Sequence, residues 1–112
     1  MINAKALALM KNGVMIINTG RGRLIQTEDL IEALKSGKVG SAGLDVYEDE
    51  PRLAPGLAGL DNVVLLPHLG SATVETRGRM AVMAVESASA AVRGSTVPHM
   101  VNPEVLSRMM GP

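Results

Sequence analysis

Short apolar runs alternate with amphipathic stretches along this chain of 112 residues. Apolar side chains dominate residues 14–19, 42–46 and 62–66, and runs of this length are typical of strands in a buried parallel sheet. Residues 27–36 instead carry apolar side chains at helical spacing, and a helix of that length suits the crossover between two parallel strands. The pattern therefore predicts an α/β fold with a mostly parallel sheet.

Two helices are predicted before the second strand. The first covers residues 4–11 and follows Asn3, whose side chain is of the type that caps helices. The second begins at Thr27 and ends at Gly37, with acidic side chains in its first turn and a lysine near its last, as the helix dipole favours. Its predicted buried stripe consists of Leu30, Ile31 and Leu34.

The rest of the chain divides into a loop, a long helix and a segment that contains proline. Residues 51–61 are rich in Gly and Pro and predict a loop, with one short helical turn around Leu57. Residues 74–92 predict a helix with apolar side chains on more than one face, which is typical of a helix packed on two sides. Residues 95–103 contain two prolines and predict an extended segment, in which we expect His99 to be an ordinary exposed residue.

Each predicted strand ends next to an ionisable side chain. Arg21 follows the first strand and His68 the third, while Asp45 and Glu50 lie at the end of the second. Because the carboxyl ends of parallel strands meet at one edge of a sheet, we expect these groups to converge. Arginine can grip a carboxylate, and histidine can exchange a proton near neutral pH. The set suits proton transfer at a 2-hydroxy or 2-oxo acid; the alternative is that Arg21 and Glu50 only solvate loop ends.

Composition excludes several kinds of function. The 11 basic and 11 acidic residues balance, which argues against a nucleic-acid surface. The chain has no cysteine, which excludes disulfides, thiolate zinc sites and a cysteine nucleophile, and its two histidines lack partners at metal-ligand spacing. Neither a secretory signal nor an uncharged stretch of membrane-spanning length is present, so we expect a cytoplasmic protein without membrane contact.

Two stretches carry a resemblance to a known family: VMIINTGRGRLIQTEDLIEALKSGKVGSAGLDVYEDEP and NVVLLPHLGSATVETR. From about residue 2 to residue 105, the chain resembles the carboxyl-terminal part of the NAD-binding domain of the D-isomer-specific 2-hydroxyacid dehydrogenases. It is most similar to the glyoxylate and hydroxypyruvate reductase branch. The resemblance implies a three-layer α/β unit with a mostly parallel sheet, equal to half of a doubly wound, Rossmann-like domain.

The resemblance also implies a function and a domain organisation. Residues 1–112 would form the carboxyl-terminal half of an NAD(P)-binding domain, with residues 95–112 as an extended tail. The whole protein would be an oxidoreductase that uses NAD or NADP for hydride transfer with a small 2-oxo or 2-hydroxy acid, such as glyoxylate or hydroxypyruvate. Its pyrophosphate motif and substrate domain would precede Met1, so we expect the isolated chain to be inactive and to form homo-oligomers.

Three catalytic residues carry over from the motifs of the family. Arg21, in the Asn-Thr-Gly-Arg-Gly motif, would hold the substrate carboxylate and polarise the 2-oxo group. His68 would be the acid/base, and Glu50 would be the relay glutamate that keeps this histidine charged. Glu48 and Asp49 stand close to the relay position, but Glu50 directly precedes a proline, as in the family pattern.

Four further residues match positions that contact the cofactor in the family. Asp45, in the Gly-Leu-Asp-Val motif, matches the aspartate that contacts the nicotinamide carboxamide. Thr19 and Gly20 match the turn beside the nicotinamide ribose. Gly70 matches the glycine that lets the backbone approach the nicotinamide, and no metal ligand is implied.

Two other functions stay open at this point. Gly20-x-Gly22 follows a strand, precedes a helix and matches the start of the Gly-x-Gly-x-x-Gly motif that cradles a pyrophosphate. The third glycine position is Ile25, so the motif is incomplete, and a free-standing mononucleotide binder is the hypothesis that it supports. The chain is also compatible with a non-catalytic regulatory or oligomerising module derived from the same family.

Overall fold

The structure, a computed structural model, describes residues 1–105. The described chain divides into two compact units, Met1–Ser71 and a second that begins at Ala72. A short 3-10 turn, Gly22–Leu24, lies between the first strand and the second helix. The helices and strands are numbered along the chain: α1 (Ala4–Leu9), β1 (Val14–Asn18), α2 (Thr27–Lys35), β2 (Val39–Leu44), β3 (Val63–Leu65) and α3 (Val74–Val92).

The first unit contains a three-stranded sheet in which neighbouring strands are parallel, in the order β1-β2-β3. Ile16 pairs with Ala42, and Ala42 pairs with Val63, so the carboxyl ends of the three strands lie at one edge of the sheet. The α/β fold and the parallel sheet predicted from the sequence are confirmed. Side chains that follow the strands can therefore meet at this edge.

Strand β2 begins and ends earlier than the apolar run of residues 42–46 predicts. Val39 is fully buried and pairs with Val14, and the strand then continues through Gly40, which carries no apolar signal. The close approach of the two strands requires glycine here, because a Cβ added at Gly40 would lie 2.7 Å from the carbonyl oxygen of Gly13. Strand β2 thus begins at a buried valine outside the apolar run, and Gly40 lies at a register shift between the two strands.

The hydrophobic core of the first unit lies between helix α2 and one face of the sheet. The predicted stripe of α2 is buried, with Leu30 only 1% exposed. On the opposite face, Met15, Ile17 and Val64 are each more than 60% exposed. The Val/Leu run of β3 predicts a strand buried on both faces, and this prediction is wrong. The helices of the first unit cover only the other face of the sheet. The third layer of the fold stays a prediction.

Two local predictions differ from the structure. Asn3 caps α1 as predicted, accepting a hydrogen bond from the Ala6 N–H at 3.1 Å, but the helix ends at Leu9 because the Met10 backbone is already extended. The loop after β2 contains turns and no helix around Leu57. The Leu57 side chain is 1% exposed, so the apolar signal there reflects burial of a single side chain in the core.

Helix α3, in the second unit, has the predicted bounds, and the Thr73 hydroxyl caps its first turn. The segment after it contains turns, and the Ser87 hydroxyl donates to the Pro98 carbonyl at 3.3 Å, so this segment folds back beside the helix. His99 is exposed, as predicted. Residues 106–112 of the predicted tail lie outside the described residues. Over residues 1–105, no helix has the length and apolar character that crossing a membrane requires.

Leu30→Ala is expected to lower the free energy of unfolding by about 2–5 kcal/mol, because it leaves a cavity among buried neighbours. Leu9→Ala is the matched control, since Leu9 is 90% exposed and such a truncation changes stability by about 0.5 kcal/mol or less. Chemical denaturation followed by circular dichroism measures both effects. Equal losses of stability would contradict the assignment of the core.

Candidate active site

The turn after β1 is held by the side chain of Asn18. Its Oδ1 accepts a hydrogen bond from the Gly20 N–H at 3.1 Å, and its Nδ2 donates to the Arg21 carbonyl at 3.0 Å. Asn18 is buried, and this pattern of contacts is how asparagine stabilises a turn. The Arg21 side chain is exposed and forms no ion pair among residues 1–105. Only its Nη1 is engaged, by donation to the Gly20 carbonyl at 2.8 Å, so the guanidinium keeps donors for an external carboxylate.

The loops after β2 and β3 bring Glu50 and His68 together. His68 Nδ1 lies 2.8 Å from Oε2 of Glu50, and both side chains are partly exposed. The bond with His68, followed by a bond from the Tyr47 N–H, lowers the pKa of Glu50 below its usual value. An ionised carboxylate only accepts hydrogen bonds, so Nδ1 carries the proton of this contact. Nε2 is then the ring nitrogen left to exchange a proton with another molecule.

The backbone of His68 has a left-handed φ of 56°, which is uncommon outside glycine. Asp45, buried just after β2, holds the chain that follows this residue. Its Oδ1 accepts a hydrogen bond from the Leu69 N–H at 2.6 Å, and its Oδ2 accepts one from the Gly70 N–H at 2.7 Å. A Cβ at Gly70 would lie 3.0 Å from Oδ2, so this close approach favours glycine. Asp45 thus fixes the loop that carries His68.

Tyr47, the only aromatic residue of the sequence, holds the chain that precedes His68. Its hydroxyl donates to the Leu66 carbonyl at 2.6 Å, and its backbone N–H donates to Oε1 of Glu50 at 2.9 Å. Burial, followed by the negative charge of Asp45, raises the pKa of the Tyr47 hydroxyl. The hydroxyl therefore stays protonated, and available as a donor, throughout the neutral pH range.

The partial glycine motif packs against another backbone segment. A Cβ at Gly22 would lie 1.9 Å from the carbonyl carbon and oxygen of Tyr47, and the third motif position, Ile25, is buried in the core. The N terminus of α2, where a phosphate would bind, already faces a carboxylate. The Thr27 N–H donates to Oε2 of Glu48 at 3.1 Å, and this bond lowers the pKa of Glu48. Glu48 therefore accepts a hydrogen bond from the N terminus of α2, whereas Glu50 contacts His68.

An open cleft of about 880 Å³ lies at the carboxyl edge of the sheet. Arg21, Glu50 and His68 all line it, so the structure brings the three predicted catalytic residues into one site. The charge of Arg21 also contributes to the lowered pKa of Glu50. The cleft thus combines a cation, an ionised carboxylate and a histidine with one free ring nitrogen. Such groups can bind the carboxylate of a ligand and transfer a proton to or from an adjacent atom of that ligand.

The predicted cofactor residues lie in two groups at the same edge. Thr19 and Gly20 are exposed in the turn after β1, and Asp45 is bonded directly to Gly70. Asn18 and Tyr47 have no role among the residues predicted from the sequence. Asn18 lies two residues before a glycine at the end of an apolar run, and this pattern predicts an asparagine that stabilises a turn. No pattern marks the hydroxyl of Tyr47.

Residues 1–70 match the family model of the D-isomer specific 2-hydroxyacid dehydrogenase, NAD binding domain. The chain belongs to this family. It is 47% identical over 106 residues to a glyoxylate reductase of Pyrococcus furiosus, a match that covers 95% of this chain and 32% of that protein. The chain therefore spans about a third of the length of this relative.

Solved structures of the family agree. A glyoxylate reductase from Paecilomyes thermophila matches with a TM-score of 0.79 and 48% identity, over 82% of this chain and 28% of that one. An NADPH-dependent glyoxylate/hydroxypyruvate reductase from Sinorhizobium meliloti, in complex with NADP and malonate, matches with a TM-score of 0.75 and 39% identity, over 80% of this chain and 28% of that one. The fold is thus a Rossmann-like part of an NAD-binding domain.

The residues at the sheet edge fit the nicotinamide end of NAD(P) better than its phosphates. The Asp45 carboxylate only accepts hydrogen bonds, and each oxygen makes one bond to a loop N–H, which leaves a lone pair for an amide donor such as a carboxamide. Gly20 and Gly70 are exposed and carry no side chain of their own. At the N terminus of α2, by contrast, Glu48 supplies negative charge that opposes a phosphate.

Gly22→Ala is expected to lower the free energy of unfolding by about 1–3 kcal/mol, because its Cβ has no space against the Tyr47 carbonyl. Gly59→Ala is the matched control, since, apart from its chain neighbours, no atom of residues 1–105 lies within 4 Å of a Cβ added there. Denaturation measures stability, and amide chemical shifts of Tyr47 and Glu48 report displacement of their backbone. A Gly22→Ala variant with unchanged stability and shifts would refute this packing.

Proposed function

We propose that this chain is the part of an NAD(P)-dependent oxidoreductase that holds the reacting ends of cofactor and substrate. The complete enzyme transfers a hydride between NAD(P)H and a small 2-oxo acid, such as glyoxylate or hydroxypyruvate. The observation that carries the proposal is the 2.8 Å contact between His68 Nδ1 and Glu50 Oε2, in the cleft that Arg21 also lines. The glyoxylate and hydroxypyruvate reductases among the relatives favour these substrates.

His68 acts as the proton donor in the direction of reduction. Glu50 binds the Nδ1–H group, so the imidazolium presents Nε2–H to the oxygen of the 2-oxo group. Because the pKa of Glu50 is lowered, its carboxylate is charged at neutral pH and accepts the Nδ1–H hydrogen bond as an ionised group. The nicotinamide, when bound, supplies the hydride to the carbonyl carbon. In the reverse direction, neutral Nε2 accepts the hydroxyl proton.

Arg21 binds the carboxylate of the substrate. Its planar guanidinium can donate two parallel hydrogen bonds, which fixes both the position and the orientation of the acid. Because the 2-oxo group is bonded directly to this carboxylate, holding one end directs the other toward His68. The same positive charge stabilises the oxygen of the 2-oxo group as negative charge develops on it.

The cofactor is NAD or NADP, and this chain holds its nicotinamide end. Asp45 would accept a hydrogen bond from the carboxamide, while Thr19, Gly20 and Gly70 would provide backbone surface beside the ring and its ribose. Binding energy from the rest of a dinucleotide is needed to orient its reacting end. We therefore propose that the chain alone binds NAD(P)H weakly and is inactive. A cytoplasmic location stays a prediction.

A non-catalytic module is the second candidate function. It is favoured by the exposed apolar face of the sheet, where Met15, Ile17 and Val64 could contact a partner. A mononucleotide binder is disfavoured, because the Glu48 carboxylate already faces the N terminus of α2 and Gly22 packs against the backbone of Tyr47. The catalytic and non-catalytic candidates differ in what removal of His68 would do.

His68→Ala is expected to lower kcat by about 10²–10⁴-fold, because the reaction loses its general acid. The measurement uses a complete enzyme, made by joining this chain to the substrate domain and pyrophosphate-binding part of a related glyoxylate reductase. His99→Ala is the matched control, since it removes the other histidine, which is exposed and is not among the residues that line the cleft.

Arg21→Lys, measured in the same complete enzyme, is expected to impair mainly the use of the 2-oxo acid, since an ammonium cannot reproduce the paired hydrogen bonds.

Two outcomes would overturn the proposal. If the complete enzyme reduces glyoxylate and hydroxypyruvate at the same rate with and without His68, the histidine is not the acid/base. If it reduces neither acid, yet folds and binds NADPH, the non-catalytic module becomes the better description.

We further propose that the isolated chain forms homo-oligomers through β1. This strand lies at one edge of the sheet, and its Met15 and Ile17 side chains are 66% and 69% exposed. An edge strand offers unpaired backbone groups to a second copy, and apolar exposure adds to the contact.

Light scattering after size exclusion is expected to give more than the monomer mass at high micromolar concentration. Ile17→Lys is expected to shift the chain toward monomer, because it places a charge on the exposed face of the edge strand. Leu9→Lys, an equally charged change at an exposed position of α1, is the control. A strictly monomeric chain at that concentration would contradict this proposal.

A further inference from the structure

Tyr47 forms one hydrogen bond to the chain before His68 and another to the side chain of Glu50. Its hydroxyl donates to the carbonyl of Leu66, which lies two residues before His68 in the chain. Its backbone N–H donates to Oε1 of Glu50, the carboxylate oxygen that His68 does not use. One residue therefore ties down the segment that leads into the histidine and also the carboxylate that binds the histidine ring. We propose that Tyr47 is a positioning residue for this pair.

The backbone conformation of His68 explains why such support is needed. A left-handed φ of 56° is sparsely populated for residues with a side chain, so the surrounding contacts must hold it. Asp45 holds the chain after His68 through the N–H groups of Leu69 and Gly70. Tyr47 holds the chain before it. With both sides fixed, Nδ1 of the ring is held at Glu50, and His68 lines the cleft.

The tyrosine ring is itself fixed, which makes its hydroxyl an effective anchor. Tyr47 packs against the hydrophobic core of the first unit, and its hydroxyl also lies 3.4 Å from the Leu44 carbonyl at the end of β2. The anchor is therefore attached to the sheet rather than to another loop. Its raised pKa keeps the hydroxyl a donor across the pH range in which a histidine titrates.

Tyr47→Phe removes the hydroxyl and keeps the ring, which packs against the core. Without the bond to Leu66, we expect the His68 segment to relax and its contact with Glu50 to loosen. The bond with His68 is the largest cause of the lowered pKa of Glu50, so that pKa is expected to rise toward its ordinary value. The residue 47 N–H is retained, so the rise should be smaller than in His68→Ala, which removes the partner completely.

The measurement is a carboxyl carbon NMR titration of Glu50 in the full 112-residue chain. A second readout, the nuclear Overhauser effect between HN and Hα of His68, reports the left-handed backbone. The matched control is Ser36→Ala, which removes a hydroxyl that donates to the Ala33 carbonyl away from the cleft. Replacement of Tyr47 by para-aminophenylalanine restores a donor and is expected to return both readouts to those of the unchanged chain.

Each result has a definite meaning. A Glu50 pKa that rises in Tyr47→Phe, stays constant in Ser36→Ala and recovers with the restored donor supports the proposal. An unchanged Glu50 titration and an unchanged His68 backbone signal in Tyr47→Phe would overturn it. If Tyr47→Phe unfolds, the para-aminophenylalanine variant alone carries the test, and it must then fold with the Glu50 titration of the unchanged chain; any other titration overturns the proposal.

The consequence for catalysis rests on the proposed function and is tested separately. In the complete enzyme, Tyr47→Phe is expected to lower kcat by about tenfold, within the roughly hundredfold loss that a misplacement of about 1 Å can cause. The KM for the 2-oxo acid should change little, since Arg21 is untouched. If the NMR signals shift but kcat does not, the positioning role holds and the catalytic assignment of His68 fails.

Discussion

The buried carboxylate of Asp45 is the contact on which the site depends. Parallel strands are joined by long crossovers, so the loops at their carboxyl ends come from separate parts of the sequence. Asp45 lies in the loop after β2, and its oxygens accept hydrogen bonds from the N–H groups of Leu69 and Gly70 in the loop after β3. It therefore joins two of these loops. Its charge is satisfied within the protein, and so are two backbone donors that would otherwise need water. The position of His68 follows from this contact.

Carboxylates at the sheet edge have distinct partners although they are neighbours in sequence. Glu48 accepts the N–H of Thr27 at the start of α2, and Glu50 accepts bonds from Tyr47 and His68. The first arrangement stabilises a helix, whereas the second fixes the partner of the His68 ring. Spacing alone gives no way to separate these acids, because side chains two residues apart in an irregular loop can point in any direction. The family pattern favours Glu50 as the relay glutamate, which stays a prediction, and Glu50 is the one of these two carboxylates that contacts His68.

The elements that the sequence predicts well are those whose side-chain pattern and backbone pairing coincide. The stripe of α2 and the bounds of α3 follow from periodicity. The start of β2 does not, because Gly40, at a register shift with no partner in β1, separates Val39 from the apolar run of residues 42–46. The convergence of Arg21, Glu50 and His68 could be predicted from parallel topology. The roles of Asn18 and Tyr47 could not, because each acts on backbone groups whose position only the tertiary structure sets.

The proposed division between proton transfer and cofactor binding has a physical origin. Proton transfer and carboxylate recognition act over about 3 Å, so one edge of a three-stranded sheet is enough to build them. A dinucleotide is far longer than that edge, and its pyrophosphate needs a helix N terminus free of negative charge, which α2 with Glu48 is not. We therefore propose that this binding energy comes from other parts of a complete enzyme. The contact between His68 and Glu50, and the hydrogen bonds of Asp45 and Tyr47 beside it, all form within the chain.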